Sequence, residues 1–409
     1  MTVAFSAGTA TAATPIQLTS AMNEWTSAHP RTGIFVVRLD ADGPTPILNF
    51  KGDVPRRPAS TMKVITASAA LMAFGPEHRF TTELYAQSPP ILGGSRLSTT
   101  LYLKGGGDPM LATPTYINKY LAGRGTSING LATPLRSAGF TSITGPIVVD
   151  ESRFDTQRRV ASWPSRYIIE CRPLSAVNVN QGYLRDLRTL YVVRPPLAAG
   201  GKLRAAFGRA GITHTGKVVT GRTPAGASLV SFTKSPPLRT ITRVMLPESD
   251  NYIAETLAKN TGSMVLGRGT TAAGTQAARQ LLAAQVGPRN TLIDGSGLDR
   301  GNAVTPKAMV RVLIAANANP DWGTALINSL ARGGEGTLER RFLAPSLRNR
   351  VHAKTGYIAG TSTIAGVVDS RAGVRYAFAI YMNDDAILGA RRTQDRLVAL
   401  LATGIADNS

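Results

Sequence analysis

One stretch constrains this chain more than any other. Residues 58–75, PASTMKVITASAALMAFG, are apolar enough to be the centre of a core helix, with Pro58 just before its start and Gly75-Pro76 at its end. Yet Lys63 stands in the first turn, three residues after Ser60. Burying an ammonium is costly, so a fold that encloses this helix must have a use for the amine. At i,i+3 on a helix the two side chains are neighbours. A serine hydroxyl is a poor nucleophile until a base removes its proton. A lysine can be that base only if its pKa falls, and burial among Val64, Ile65 and Leu71 lowers it. A second cation close by would lower it further, and Lys354 is the candidate.

Two more short motifs follow in order, Ser249-Asp250-Asn251 and Lys354-Thr355-Gly356. Each is weak alone. A second Ser-x-x-Lys exists at Ser231/Lys234, but in a strand-like stretch where the pair would not share a helix face, and a second Ser-x-Asn stands at Ser127/Asn129. Read singly, Ser60 and Lys63 are a cap and a snorkelling lysine, and Ser249-Asp250-Asn251 is an N-cap cluster. The ordered set is far more specific: the first serine at a helix start, the last motif on a strand. Ser60 near a helix N-terminus would also aim its backbone N–H at a developing oxyanion.

Bulk properties bound the alternatives. The chain has 409 residues, 43% of them apolar, enough for two or more domains with their own cores. The four histidines are scattered without HExxH, so no metal and no organic cofactor is expected. Cys171 is the single cysteine and reads as a buried, inert thiol. Gly211 to Lys217 resembles a phosphate loop, but Val218 stands where Ser or Thr is needed, so it reads as a turn before a strand. The formal net charge is +21, and only ten of the 46 basic residues are lysine. The charge is dispersed, with no aromatic–basic interleaving of the kind single-strand binders use, and nucleic acid is not an expected partner; it favours anionic partners in general, wall polymers and lipid headgroups among them, or reflects only an arginine-rich composition. No segment reaches the roughly 20 apolar residues of a transmembrane span. The N-terminus, MTVAFSAGTATAATP, reads at most as the remnant of a signal peptide.

Along the chain, residues 16–28 look helical, GIFVVRLDADG and TPILNFKG alternate as a strand pair, and the Ser60 helix follows. From about residue 83, short β-like runs such as LSTTLYLKGGGDP, GPIVVDESRFD, TLYVVRPP and GKVVTG alternate with Gly/Pro-rich breaks. Helix signals return near residue 235, with SDNYIAETLAKNTG closing on Gly262, then strands through VHAKTGYIAGTSTIAGVV and VRYAFAIYMND, and a terminal amphipathic helix.

With its three motifs the chain resembles the penicillin-recognising serine acyltransferases: D-alanyl-D-alanine carboxypeptidases, transpeptidases and serine β-lactamases. The stretches LKGGGDPML, GPIVVDESRFD, DGSGLDRGN and GGEGTLERRF narrow the resemblance to the type-4 carboxypeptidase/endopeptidase group. It implies an α/β fold: a β-lactamase/transpeptidase-like domain of antiparallel sheet flanked by helices (residues 1–82 and 240–409) with an inserted β-rich domain (83–239). A further nested domain, frequent in relatives, is expected to be absent or reduced, since few residues separate SAVNVNQGY from YVVRPP.

Residue by residue, the resemblance implies that Ser60 forms the acyl-enzyme and Lys63 is its base. Ser249 relays a proton to the leaving amine, held by Lys354, and Asn251 binds the substrate's peptide carbonyl. Lys354 and Thr355 hold the terminal carboxylate of D-alanine or a β-lactam. The N–H groups of Ser60 and Tyr357 form the oxyanion hole, and Gly356 lets substrate approach the strand. Leu298 and Arg300 flank the substrate side chain, and Asp150, Glu151 or Asp155 meets a free amine of the stem peptide. The expected activity is a serine D,D-carboxypeptidase, or D,D-endopeptidase, on peptidoglycan stem peptides outside the cytoplasmic membrane, inhibited by β-lactams. Two readings compete with it. A β-lactamase shares the motifs, but no Glu-x-x-Leu-Asn lies between residues 251 and 354 and no Tyr-x-Asn replaces Ser-x-Asn. A non-catalytic wall-binding or penicillin-sensing protein would use only the basic surface.

Overall fold

The computed structural model describes residues 12–89, 94–186 and 188–406; residues 1–11, most of the segment read as a signal-peptide remnant, lie outside them. A six-stranded antiparallel sheet organises the first core. In spatial order its strands are Ala331–Arg332, Val351–Ile358, Thr361–Asp369, Arg375–Met382, Thr32–Asp40 and Gly43–Phe50. Successive strand residues point to opposite faces, and both faces are covered. Ile34, Val36, Ile364 and Phe378 pack with Leu18, Trp25 and Leu397 of the terminal helices Pro15–Thr26 and Ile387–Thr403. Phe35, Val37, Ala365, Val367 and Ala377 share the other core with Val64, Ile65, Ile241 and Val312. Helices thus cover the sheet on both sides, the antiparallel architecture that the resemblance implied.

The Met62–Phe74 helix is buried from Met62 through Leu71, with Lys63 at 0% exposure. Beside it runs Asn251–Leu266, which packs in turn against Thr271–Leu281. That last crossing is close. A Cβ on Gly274 would stand 2.2 Å from the Ala258 carbonyl oxygen, and one on Gly262 2.6 Å from the Gly274 nitrogen. The expectation that the helix closes on Gly262 is therefore corrected: it continues to Leu266 and stops at Gly267, whose φ is 66°. The bare Cα at 262 serves packing, not termination.

Residues 81–234 build another core around a five-stranded sheet, in the order Val218–Thr220, Ile147–Asp150, Leu101–Lys104, Thr81–Ala86 and Ser228–Lys234. The first two neighbour pairs are parallel and the rest antiparallel. Leu84, Leu103, Ile147 and Val149 pack there with Leu203 and Phe207. The last two belong to Pro195–Arg209, a 15-residue helix hidden from the sequence reading by its Pro-Pro start and Gly200-Gly201. Prolines are tolerated in a first helical turn. Gly200 lets the helix lie on the sheet, since a Cβ there would come within 2.3 Å of Val218 Cγ1. The TLYVVRPP stretch forms no strand; Tyr191 makes a single bridge to Tyr183 and Val193 is exposed. Ser231 and Lys234 do lie on a strand, three residues apart and so on opposite faces.

Gly274→Ala separates helix propensity from packing. Alanine favours a helix by roughly 1 kcal/mol over glycine, yet here its methyl group meets the Ala258 backbone. We expect a net loss of about 1–3 kcal/mol, read as a lower urea midpoint; a raised midpoint would mean that the crossing has slack.

Candidate active site

Ser60 lies on a single 3-10 turn, Ala59–Thr61, that leads into the Met62–Phe74 helix. Three contacts hold this turn. Thr61 Oγ1 and Thr363 Oγ1 both donate to the Pro58 carbonyl, at 2.6 and 2.7 Å. Ala59 adopts φ 46°, a left-handed conformation that is costly for a residue with a Cβ. Gly356 presses against the turn so closely that a Cβ would stand 2.8 Å from the Pro58 oxygen and 2.9 Å from the Ser60 nitrogen. The bare Cα of this glycine, expected to admit substrate, also admits the serine turn to the strand.

Lys63 Nζ lies 2.9 Å from Ser60 Oγ, 2.7 Å from Asn251 Oδ1 and 2.8 Å from the Ser296 carbonyl oxygen. Carbonyl oxygens only accept. A neutral amine has two N–H groups and one lone pair, so the N–H groups go to Asn251 and Ser296 and the lone pair is left facing the Ser60 hydroxyl. Asn251 is held in this sense because its own Nδ2 donates to the Glu170 carbonyl at 3.0 Å. Burial lowers the Lys63 pKa to about 8, against the opposing pull of Asp294, Glu255 and Asp250. Lys354 is also fully buried and its pKa falls well below the usual value, through burial first and then the charge of Lys63. Burial is the leading cause at both lysines, as expected for Lys63; the further lowering expected there from Lys354 is not among its causes, and the repulsion between the two amines falls on Lys354.

The Ser249-Asp250-Asn251 motif is a joint between two helices. Ser249 ends Leu238–Glu248 with φ 56°. Asp250 caps Asn251–Leu266 by accepting from the Ile253 N–H at 2.9 Å, and its other oxygen accepts from Gln181 at 2.9 Å. The aspartate therefore shapes the joint while the residues on either side of it serve the cleft. Ser60, Ser249, Thr355, Gly356 and Tyr357 line one cavity of about 680 Å³. Ala331–Arg332 pairs only with Ala353 and His352, so that edge of the strand is uncovered over residues 354–358. Alternation turns Lys354 and Gly356 toward Ser60, and Thr355 and Tyr357 toward the terminal helices.

Other expected site residues lie elsewhere. Leu298 is buried with Trp163, Cys171 and Tyr252 and does not line the cavity, because the residues 160–174 cover it. Arg300 is exposed and donates to the Ala359 carbonyl at 3.0 Å, tying its loop to the hairpin that follows Lys354-Thr355-Gly356. Asp150 is buried and accepts from the N–H groups of Ser152 and Thr223 at 2.9 and 2.8 Å. Burial alone would raise its pKa, but those hydrogen bonds outweigh it and hold the carboxyl below its usual value. Glu151 is paired with Arg158, and Asp155 with Lys259. Each of the three acids thus has a partner within the protein. His352 is half-buried and does not line the cavity.

The sequence reading missed Ser296 and Glu255. Glu255 is wholly buried and accepts from the N–H groups of Gly295 and Ser296, at 3.0 and 2.8 Å, so it secures the residue whose carbonyl holds Lys63. Burial, reinforced by Asp294, pushes its pKa up. Its one sequence signal was an acidic residue a single turn beyond Asn251, directly after the apolar run Tyr252-Ile253-Ala254. Among the described residues no cluster of His, Cys, Asp and Glu could hold a metal ion, and none of their helices is long and apolar enough to cross a membrane.

Comparison with known proteins places this geometry. The chain is 27% identical over 427 residues to a D-alanyl-D-alanine carboxypeptidase of Actinomadura sp. (strain R39), covering 84% of this chain and 76% of the relative. It is 29% identical over 389 residues to carboxypeptidase DacB of Mycolicibacterium smegmatis, covering 91% and 81%. Its fold is similar to the crystal structure of penicillin binding protein 4 from Haemophilus influenzae, with a TM-score of 0.76 and 23% identity over 94% of this chain and 99% of that one. The model of the D-Ala-D-Ala carboxypeptidase 3 (S13) family matches residues 18–189 and 184–403. With nearly its whole length matched, the chain belongs to the D-Ala-D-Ala carboxypeptidase 3 (S13) family of serine peptidases.

Proposed function

We propose that this protein is a serine D,D-carboxypeptidase that cleaves the D-Ala-D-Ala terminus of peptidoglycan stem peptides through an acyl-enzyme on Ser60, and that β-lactams acylate the same serine. The observation that carries this reading is the placement of the Lys63 amine, 2.9 Å from Ser60 Oγ and within hydrogen-bond reach of two carbonyl acceptors, which leaves the lone pair of the neutral amine to Ser60. Lys63 takes the hydroxyl proton as Oγ attacks the scissile carbonyl. The N–H groups of Ser60 and Tyr357 receive the oxyanion. Ser249, which lines the same cavity as Ser60, passes a proton to the departing amine of D-alanine, and the C–N bond breaks. Water then attacks the ester, with Lys63 again as base, and frees the stem peptide. Lys354 and Thr355 hold the terminal carboxylate, and Asn251 serves the peptide carbonyl on the acyl side. The edge at residues 354–358, which has no strand partner among the described residues, suits an extended peptide that adds to it as a strand.

In this reading residues 1–82 and 240–409 form the catalytic domain and 83–239 the insert. The substrate is outside the cytoplasmic membrane, so we place the enzyme there, with its positive surface toward anionic wall polymers. Endopeptidase cleavage of cross-links uses the same chemistry with a larger leaving amine. A β-lactamase would differ in one quantity, the lifetime of the penicilloyl ester: milliseconds instead of hours.

Benzylpenicillin followed by mass spectrometry should show one covalent adduct on the wild type and none on Ser60→Ala, with D-alanine released from a stem-peptide mimic by the wild type alone. An adduct on Ser60→Ala would move the nucleophile elsewhere. Lys63→Ala should slow acylation by about 10²–10⁴.

The pH dependence has a definite sign. Lys63 acts as base only when neutral, and it becomes neutral as pH rises through about 8. The acylation rate should therefore climb with pH and level off above that value. Asn251→Asp would put a carboxylate against the ammonium, raise its pKa and move the rise to higher pH. A wild-type profile that is flat between pH 6 and about 9 would remove Lys63 as the base.

A further inference from the structure

The cavity at Ser60 is larger than release of a single alanine needs. About 680 Å³ lies within the range that encloses a drug-sized ligand. Its outer lobe is cationic. Arg340, Arg341, Arg391 and Arg392 line it, against only Glu339 and Asp395. Arg341 is already engaged, donating to Asp395 at 2.7 Å and to Gln394 at 3.1 Å. Arg340 reaches Glu339 only at 3.6 Å, with both side chains well exposed, an arrangement that contributes little. Among the described residues neither Arg391 nor Arg392 makes an ion pair, and Arg391 lies over the Tyr357 ring at 5.5 Å. Among the described residues these two guanidinium groups at the cavity thus have no acidic partner.

The position of the lobe says which part of a substrate would meet them. Thr355 pairs with Ile364 and Tyr357 with Ser362 across the hairpin. Ile364 packs against the terminal helices, and Ser362 accepts a hydrogen bond from Gln394 of the Ile387–Thr403 helix. Thr355 and Tyr357 therefore face that helix, which carries Arg391 and Arg392, while Lys354 faces Ser60. The lobe begins beside Thr355, where the leaving residue's carboxylate is placed by the function proposed above, on which this inference rests.

We propose that Arg391 and Arg392 form an anion subsite on the leaving side of the cleft. It would recognise a second carboxylate on the leaving amino acid or peptide, beyond the one adjoining the scissile bond. Substrates whose leaving segment is acidic are then favoured over neutral ones of the same size.

Two synthetic peptides, acyl-D-Ala-D-Glu and acyl-D-Ala-D-Gln, differ only in that second carboxylate. We expect wild-type kcat/KM for release of D-Glu to exceed that for D-Gln by roughly tenfold at low salt, the scale of a charge-assisted hydrogen bond. The ratio should shrink as salt is raised. It should fall toward one in Arg391→Gln/Arg392→Gln and persist in Arg391→Lys/Arg392→Lys. A wild-type ratio near one, or a preference undiminished in the double Gln variant, overturns the subsite. Benzylpenicillin labelling of the wild type tells this failure from that of the parent reading. Labelling with a ratio of one removes the subsite alone; no labelling and no cleavage of either peptide removes both.

Discussion

The structure turns on an ammonium-bearing side chain that is enclosed completely. Lys63 has no exposed surface, and its amine reaches three oxygens, those of Ser60, Asn251 and the Ser296 backbone. A charged amine could fill all three contacts, but at the desolvation cost that brings its pKa to about 8. Losing the proton relieves that cost, and the two carbonyls decide where the lone pair then points. Stability and reactivity meet in one contact: the environment that makes the charge expensive also suits the amine to the role of base in the proposed mechanism.

Each of those acceptors is itself held. Glu170 restrains the Asn251 amide, and Glu255 restrains the Ser296 backbone. The Ser60 turn, with Ala59 in a left-handed conformation, is pinned at the Pro58 carbonyl by two threonine hydroxyls, one from its own turn and one from the neighbouring strand. Such strain persists only where the surroundings over-determine it. The site is therefore organised before substrate arrives, which is the condition under which fixed dipoles and hydrogen bonds are most effective on a transition state.

Much of this was legible in the chain itself. Ser60 with Lys63 is a local helical relation, and strand alternation around Lys354-Thr355-Gly356 is equally local, so both could be read from spacing. The differences between expectation and structure share a cause. Asp150, Glu151 and Asp155 looked available because their partners, Thr223, Arg158 and Lys259, come from separate segments or later turns of the chain. Leu298 looked like a cleft wall because nothing local says that residues 160–174 cover it. The Pro195–Arg209 helix was hidden because its glycine pair reads as a break until the sheet beneath it is seen.

By itself the sequence determined the apolar helix with its misplaced lysine, the two-faced strands and the ordered motifs, since these depend on backbone periodicities of 3.6 and 2 residues. Tertiary structure alone decided what the lysine does. Two of its acceptors lie 188 and 233 residues away along the chain. Hydrogen-bond direction and the loss of water act over a few ångströms in space, and no local pattern specifies which distant carbonyl will arrive there.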